Sequence, residues 1–169
     1  DRGPLVGVRR MLVLSSIAGL KDAGLYERYR AHIDSSTLAS ILEMIGPGWM
    51  PAELAKSHYD ACDRMQLTDA QVQDMGLRAG DKMSSSLLVA ATQSTGAPAE
   101  RSPWALVGAY SRMGRRIFEG SSSQYVKLGP NKLLLEHVGN PLFSLHYFRI
   151  AHSSFMQNTF RSLGVEIAD

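Results

Sequence analysis

With 169 residues, of which 44% are hydrophobic and 20% charged, the chain matches one globular domain with a buried core and excludes wholesale disorder. Its 18 basic and 16 acidic side chains leave a formal charge of +2, too small an excess for a nucleic-acid surface. The single cysteine, Cys62, excludes an intramolecular disulfide and fits a reducing compartment, so a cytoplasmic location is expected.

Arg9 and Arg10 precede an apolar run from Met11 to Leu20, a pattern shared with export signals. The run covers only about ten residues, roughly half a bilayer span, so a buried first strand or helix is expected and no membrane span. Lys21 to Arg30 predicts a short charged helix with Leu25 and Tyr29 on one face. Asp34 or Ser35 can cap the next helix, where Leu38, Ile41, Leu42 and Ile45 recur at helical spacing until Gly46-Pro47-Gly48 stops it.

Trp49-Met50-Pro51 predicts another helix start, with proline at the first helical position. Its apolar stripe runs Leu54, His58, Cys62 and Met65, with Ala55 and Tyr59 alongside. Thr68-Asp69-Ala70-Gln71 has the form of a capping box, and a long helix follows through Val72, Met75, Met83, Leu87 and Leu88. Gly76 and Gly80, four apart, would let a neighbouring backbone or ligand approach closely. Residues 93–102 read as a loop. Ser102-Pro103 then starts a helix with Trp104, Val107, Tyr110 and Ile117 near one face and Arg112, Arg115 and Arg116 on the other.

After a break at Gly120-Ser121-Ser122-Ser123 the periodicity changes. Tyr125 to Leu128 and Lys132 to Val138 predict a hairpin across Gly129-Pro130-Asn131. Asn140 can cap a helix from Pro141, although Leu142 to Phe148 also reads as a strand. Phe155, Met156 and Phe160 mark the helix that follows, Gly164 fits its C-cap, and Val165 to Ala168 looks like a further strand. The expected fold is α+β: one domain over 1–169, with an N-terminal helical part (1–120) packed on a C-terminal antiparallel sheet and helix (121–169).

Chemistry-bearing groups are sparse. His58 and Cys62 stand four apart on an apolar stripe, and His146 is six residues from His152, a poor spacing for ligands on one helix face. His58, Cys62 and His146 are therefore the weak metal candidates, with core packing the simpler reading. No Gly-x-Ser-x-Gly elbow occurs, and the serines at 84–86 and 121–123 have no assigned base, so no catalytic residue is expected. Arg112, Arg115 and Arg116 could meet an acidic partner but lack a phosphate loop beside them. The eight methionines, with several aromatics, could line an apolar pocket. Met65, Met75, Met83, Trp104, Tyr110, Phe148, Phe155 and Phe160 are the candidates.

Three groups of residues resemble a ligand-binding fold shared by haem–nitric oxide sensor domains, 4-vinyl reductase domains and transport-particle subunits. They are Gly48-Trp49-Met50-Pro51 with Gln73-Asp74-Met75-Gly76; the strand Lys132 to Glu136; and Tyr147-Phe148-Arg149 leading to Ser162-Leu163-Gly164 and Val165-Glu166-Ile167. The layout is also similar to an uncharacterised myxobacterial family. The resemblance implies a non-enzymatic sensor that binds a small, mainly apolar ligand between helices and sheet and pairs as a homodimer. The stretch from Trp104 to Phe118 has no histidine, which argues against haem held as in the gas sensors, and no cysteine pair follows the last helix to supply a zinc site. An adaptor with a solid core and a haem sensor with an atypical ligand are the alternatives.

Overall fold

A computed structural model describes residues 3–44, 46, 48–81, 104, 107, 114–129 and 132–162. The chain starts with a short strand, β1 (Gly7–Arg9), which runs directly into α1 (Arg10–Asp22). The apolar run is thus helical from Arg10 onward. Its buried face of Leu12, Val13, Ser16, Ile17, Gly19 and Leu20 follows helical spacing and includes one hydroxyl. Helix α1 ends at Gly24, whose φ of 69° is left-handed. There the Leu25 N–H bonds the Leu20 carbonyl at 2.8 Å and the Gly24 N–H bonds that of Lys21 at 3.0 Å, which is a Schellman stop. The segment expected as one helix over Lys21 to Arg30 is therefore split, because Gly24 ends α1 before α2 (Tyr26–Arg30) begins.

Helix α3 (Ser35–Glu43) starts as expected at Asp34, whose carboxylate accepts the Thr37 N–H at 2.9 Å. The next element corrects the sequence reading. Trp49–Pro51 is not the first turn of a helix but a strand, β2, paired antiparallel with β1 in the register Val8↔Met50. Pro51 becomes the N-cap of α4 (Ala52–Arg64) rather than its first helical residue. A proline is tolerated here because β2 is an edge strand. Residues 69–81 form α5, and its capping box is present: Thr68 N–H to Gln71 Oε1 is 3.0 Å and Gln71 N–H to Thr68 Oγ is 3.3 Å.

Residues 114–117 are helical and lead to β3 (Phe118–Glu119), the third strand beside β1. The hairpin is β4 (Ser122–Gly129) with β5 (Lys132–Val138), pairing Ser123 with His137 and Val126 with Leu134. Ser122 and Ser123 thus belong to a strand, and the break before them narrows to Gly120, where φ is 89°. A 3-10 turn (Pro141–Ser144) and α6 (His146–Ser162) follow, so the strand alternative for Leu142 to Phe148 is replaced by helix. The Asn140 side chain accepts the Leu142 N–H at 3.1 Å, and Asp63 of α4 accepts the Tyr147 N–H at 2.7 Å, capping α6 from outside. The readings placed on 93–103, Gly164 and 165–168 lie outside the described residues.

The fold is α+β, with helices first and an antiparallel hairpin after them, and a three-stranded sheet ordered β2-β1-β3 that the sequence did not signal. Among the described residues no helix is long and apolar enough to cross a membrane. The core joins Val13 and Leu20 of α1, Tyr29, Ile41, Met50, Cys62, Met65, Val72 and Phe148. Two helices meet tightest at Gly76, where a Cβ would lie under 3.0 Å from the backbone of Ala151 on α6. Gly80 one turn on is less crowded, with Asn158 Nδ2 at 3.1 Å and Phe155 at 3.4 Å from an added Cβ. Gly76→Ala should therefore cost at least about 1–3 kcal/mol by forcing α5 and α6 apart. Gly80→Ala should cost less, and urea unfolding of the two variants measures the difference.

Candidate functional site

A cleft of about 30 Å³ lies between α1, α4, α5 and α6. Its apolar wall includes Leu12, Met75, Phe148 and Phe155, and Gly76 with Ala151 marks the place where α5 touches α6. Ser16, Tyr59, Tyr147 and His152 supply its polar groups. Each arrives by helical geometry: Leu12 and Ser16 are one turn apart on α1, and Phe148, Ala151, His152 and Phe155 follow i, i+3, i+4, i+7 on α6.

Ser16 opens onto a buried hydrogen-bonded chain behind the cleft. Tyr29 hydroxyl and His58 Nδ1 are 2.9 Å apart, His58 Nε2 and Ser16 Oγ are 3.0 Å apart, and Cys62 Sγ is 3.8 Å from the same nitrogen. The Tyr147 side chain stands near both Ser16 and Cys62. The buried Tyr29 hydroxyl fixes the direction of the hydrogen-bonded chain. If His58 donated to Tyr29, the buried Tyr29 O–H would need an acceptor, and none is found among the described residues. His58 is thereby the Nε2–H tautomer and donates to Ser16.

Burial sets the protonation of the whole cluster. It lowers His58 to about 3, and raises the Tyr29, Tyr59 and Tyr147 hydroxyls and the Cys62 thiol well above their ordinary values. His152, on the opposite wall, is lowered to about 3 by burial first and by His137 second. His137 falls to about 4 for the same first reason, stacking on Phe143 at 3.7 Å with Ser123 Oγ 2.8 Å from its Nδ1. A neutral thiol is a poor nucleophile and an imidazole so hard to protonate is a poor base near neutrality.

The structure sorts the residues singled out from sequence. Met75, Phe148 and Phe155 line the cleft together. Met65 is buried at the end of α4 in the general core, and Trp104 carries the Lys127 amine over its ring at 4.4 Å beside the hairpin. Met83, Tyr110 and the side chain of Phe160 lie outside the described residues. His58 and Cys62 do meet, but both ring nitrogens of His58 are engaged by Tyr29 and Ser16, which leaves none for a metal. His146 sits apart on the surface, 2.8 Å from Asp69. Among the described residues no group of three or more His, Cys, Asp or Glu is placed to hold a metal ion. Arg115 and Arg116 are exposed, with the Arg9 side chain bonding the Arg116 carbonyl at 2.9 Å. Ser16, Tyr29, Tyr59, Tyr147 and His152 were not singled out as site residues. The one signal for any of them was a serine inside the apolar run of α1.

The histidines predict how stability depends on pH. His58 and His152 titrate near 3 when folded and near 6.5 when unfolded, so below about pH 6.5 the unfolded chain binds protons that the native one refuses. Stability should be complete above that value and fall on acidification towards about pH 4, at up to about 2.7 kcal/mol per pH unit for these two groups. Urea midpoints across that interval check it, and a flat profile contradicts the burial described.

No family model, curated protein or solved structure matches this chain.

Proposed function

We propose that this chain is a non-catalytic, sensor-type domain that takes a small, mainly apolar ligand in the cleft between α1, α4, α5 and α6. The observation that carries the reading is the cleft itself: an apolar recess ending on the hydroxyls of Ser16 and Tyr147, rather than a closed core. Sites for drug-sized ligands span about 300–1,000 Å³. A cleft of about 30 Å³, roughly one water's share of liquid volume, takes only a very small group, and a haem does not fit in it. The protonation of its walls supports binding without reaction, since the histidines and the thiol are held in their unreactive forms. The hydrogen-bonded chain from Ser16 through His58 gives occupancy a physical path to Tyr29 on α2. The order of elements, which resembles the sensor domains named above, points the same way by analogy alone.

Xenon tests the cleft because it enters small apolar spaces without any polar recognition. With methyl-labelled methionine, xenon should shift the Met75 methyl resonance saturably. Ala79→Leu, which adds bulk at the cleft wall, should abolish that shift while leaving the protein folded by circular dichroism. An unchanged Met75 signal under xenon overturns the reading.

A further inference from the structure

None of the hairpin's residues lines the cleft. The register sets Gln124 opposite Glu136 and Val126 opposite Leu134 on the outer face of the hairpin, while Ser123 and His137 turn inward. Lys132 and Glu136 stand two residues to either side of Leu134 on that face, and all three are exposed. Among the described residues β5 pairs only with β4, and no backbone hydrogen bond reaches its other edge. A two-stranded ribbon is marginal by itself, and an open edge is a template for a further strand. Proline or a bulge would blunt such an edge, and Lys132–Val138 contains neither, since the one register shift lies on β4 between Lys127 and Gly129. Its two outward charges are what remains to select the added strand.

Those charges fit a second β5. Laid antiparallel along this edge and centred on Leu134, the copy sets Leu134 against Leu134, and Lys132 against Glu136 twice over. Centring on residue 133 or 135 instead sets Lys132 opposite Leu134 or Val138, and centring on Lys132 or Glu136 sets like charges face to face. No other register brings the opposite charges together. A strand of unrelated sequence would meet both charges without their complement.

We propose that the outer edge of β5 is a docking surface for a second copy of this chain, which adds its own β5 antiparallel about a two-fold axis through Leu134. The product is a four-stranded sheet in the order β4-β5-β5-β4. Backbone groups of the two edges pair, the two leucines pack side by side, and a Lys132–Glu136 pair lies on either side of them. The contact is one strand wide, well under the roughly 1,200 Å² of a standard interface, so the dimer is weak and forms only at high protein concentration. This surface is independent of the ligand-binding reading above.

Sedimentation equilibrium of the whole chain, from about 10 µM to about 1 mM, should show a monomer passing into a dimer. Lys132→Glu and Glu136→Lys each turn two opposite-charge pairs into like-charge pairs, and each should weaken the dimer roughly tenfold. The double variant Lys132→Glu/Glu136→Lys exchanges the charges and should restore it. Leu134→Cys brings two thiols across the axis within disulfide reach, so oxidised glutathione should link that variant into a covalent dimer. Val126→Cys, one strand further from the axis on each side, should stay unlinked. A chain that remains monomeric throughout overturns the proposal, as does a dimer that the single charge reversals leave unchanged. So does a double variant that associates no better than the single ones, or cross-linking of Val126→Cys in preference to Leu134→Cys.

Discussion

His58 is fully buried with both ring nitrogens hydrogen-bonded, and much of the interior is arranged around keeping it there. A buried imidazole without partners would cost a few kcal/mol, which is a large share of a domain's net stability. The partners come from α2 and α1, so satisfying one ring ties three helices together. Tyr29 and Tyr59 also pack edge-on against that ring, with centroids 5.2 and 4.6 Å away. The arrangement makes the core specific, since a helix that slipped along its neighbour would leave a polar group unsatisfied. It also fixes the character of the cleft: the hydroxyl facing the recess from α1 is the one that His58 orients.

The cleft exists because two requirements of packing conflict. Gly76 lets α5 and α6 meet backbone to backbone, which is closer than side chains normally allow. Helices brought so near at one point diverge on either side, and the large side chains around the contact, Met75, Phe148 and Phe155, leave space between them. A glycine at the crossing thus gives both tight docking and a neighbouring recess. Residues that close the structure elsewhere show the same economy of size. Gly120 and Gly139 adopt left-handed φ values of 89° and 75°, and a Cβ at either would lie under 3.0 Å from the 3–4 backbone. The N-terminal segment is thereby laced between β3 and the hairpin, with the Leu5 N–H bonding the Gly139 carbonyl at 2.7 Å.

The hairpin is a different kind of element. One face turns inward, where His137 stacks on Phe143 and Lys127 covers Trp104. Val126, Leu134 and Val138 on the other face are 46%, 44% and 39% exposed, so strand pairing rather than burial holds much of its length. The aromatic cluster in which Phe143 meets His152 edge-on and His152 stacks on Phe155 joins its base to the wall of the cleft. Two neutral histidines in that cluster, His137 and His152, are what make the docking of sheet on helix compatible with an apolar surround.

What the amino-acid order determined by itself was largely a matter of local hydrogen bonds. The Asp34 cap, the Thr68–Gln71 box, the Asn140 cap and the β4–β5 pairing could be read because their partners lie a few residues apart or across one short turn. The four-residue spacing of Gly76 and Gly80 announced a close approach, although not to which helix. Met75, Phe148 and Phe155 could be named as pocket formers, but composition could not separate them from Met65, which is plain core. Only the tertiary structure decided that Trp49–Pro51 is a strand, because its partner β1 lies some forty residues upstream. The same holds for the site. His58 finds Tyr29 at a separation of 29 residues and Ser16 at 42, and Asp63 reaches the start of α6 at 84. Periodicity shows which face of each helix is apolar, whereas the meeting of single polar groups on different helices depends on how those faces are rotated and crossed. That geometry turned a serine in an apolar run and a histidine on an apolar stripe into the polar end of one cleft.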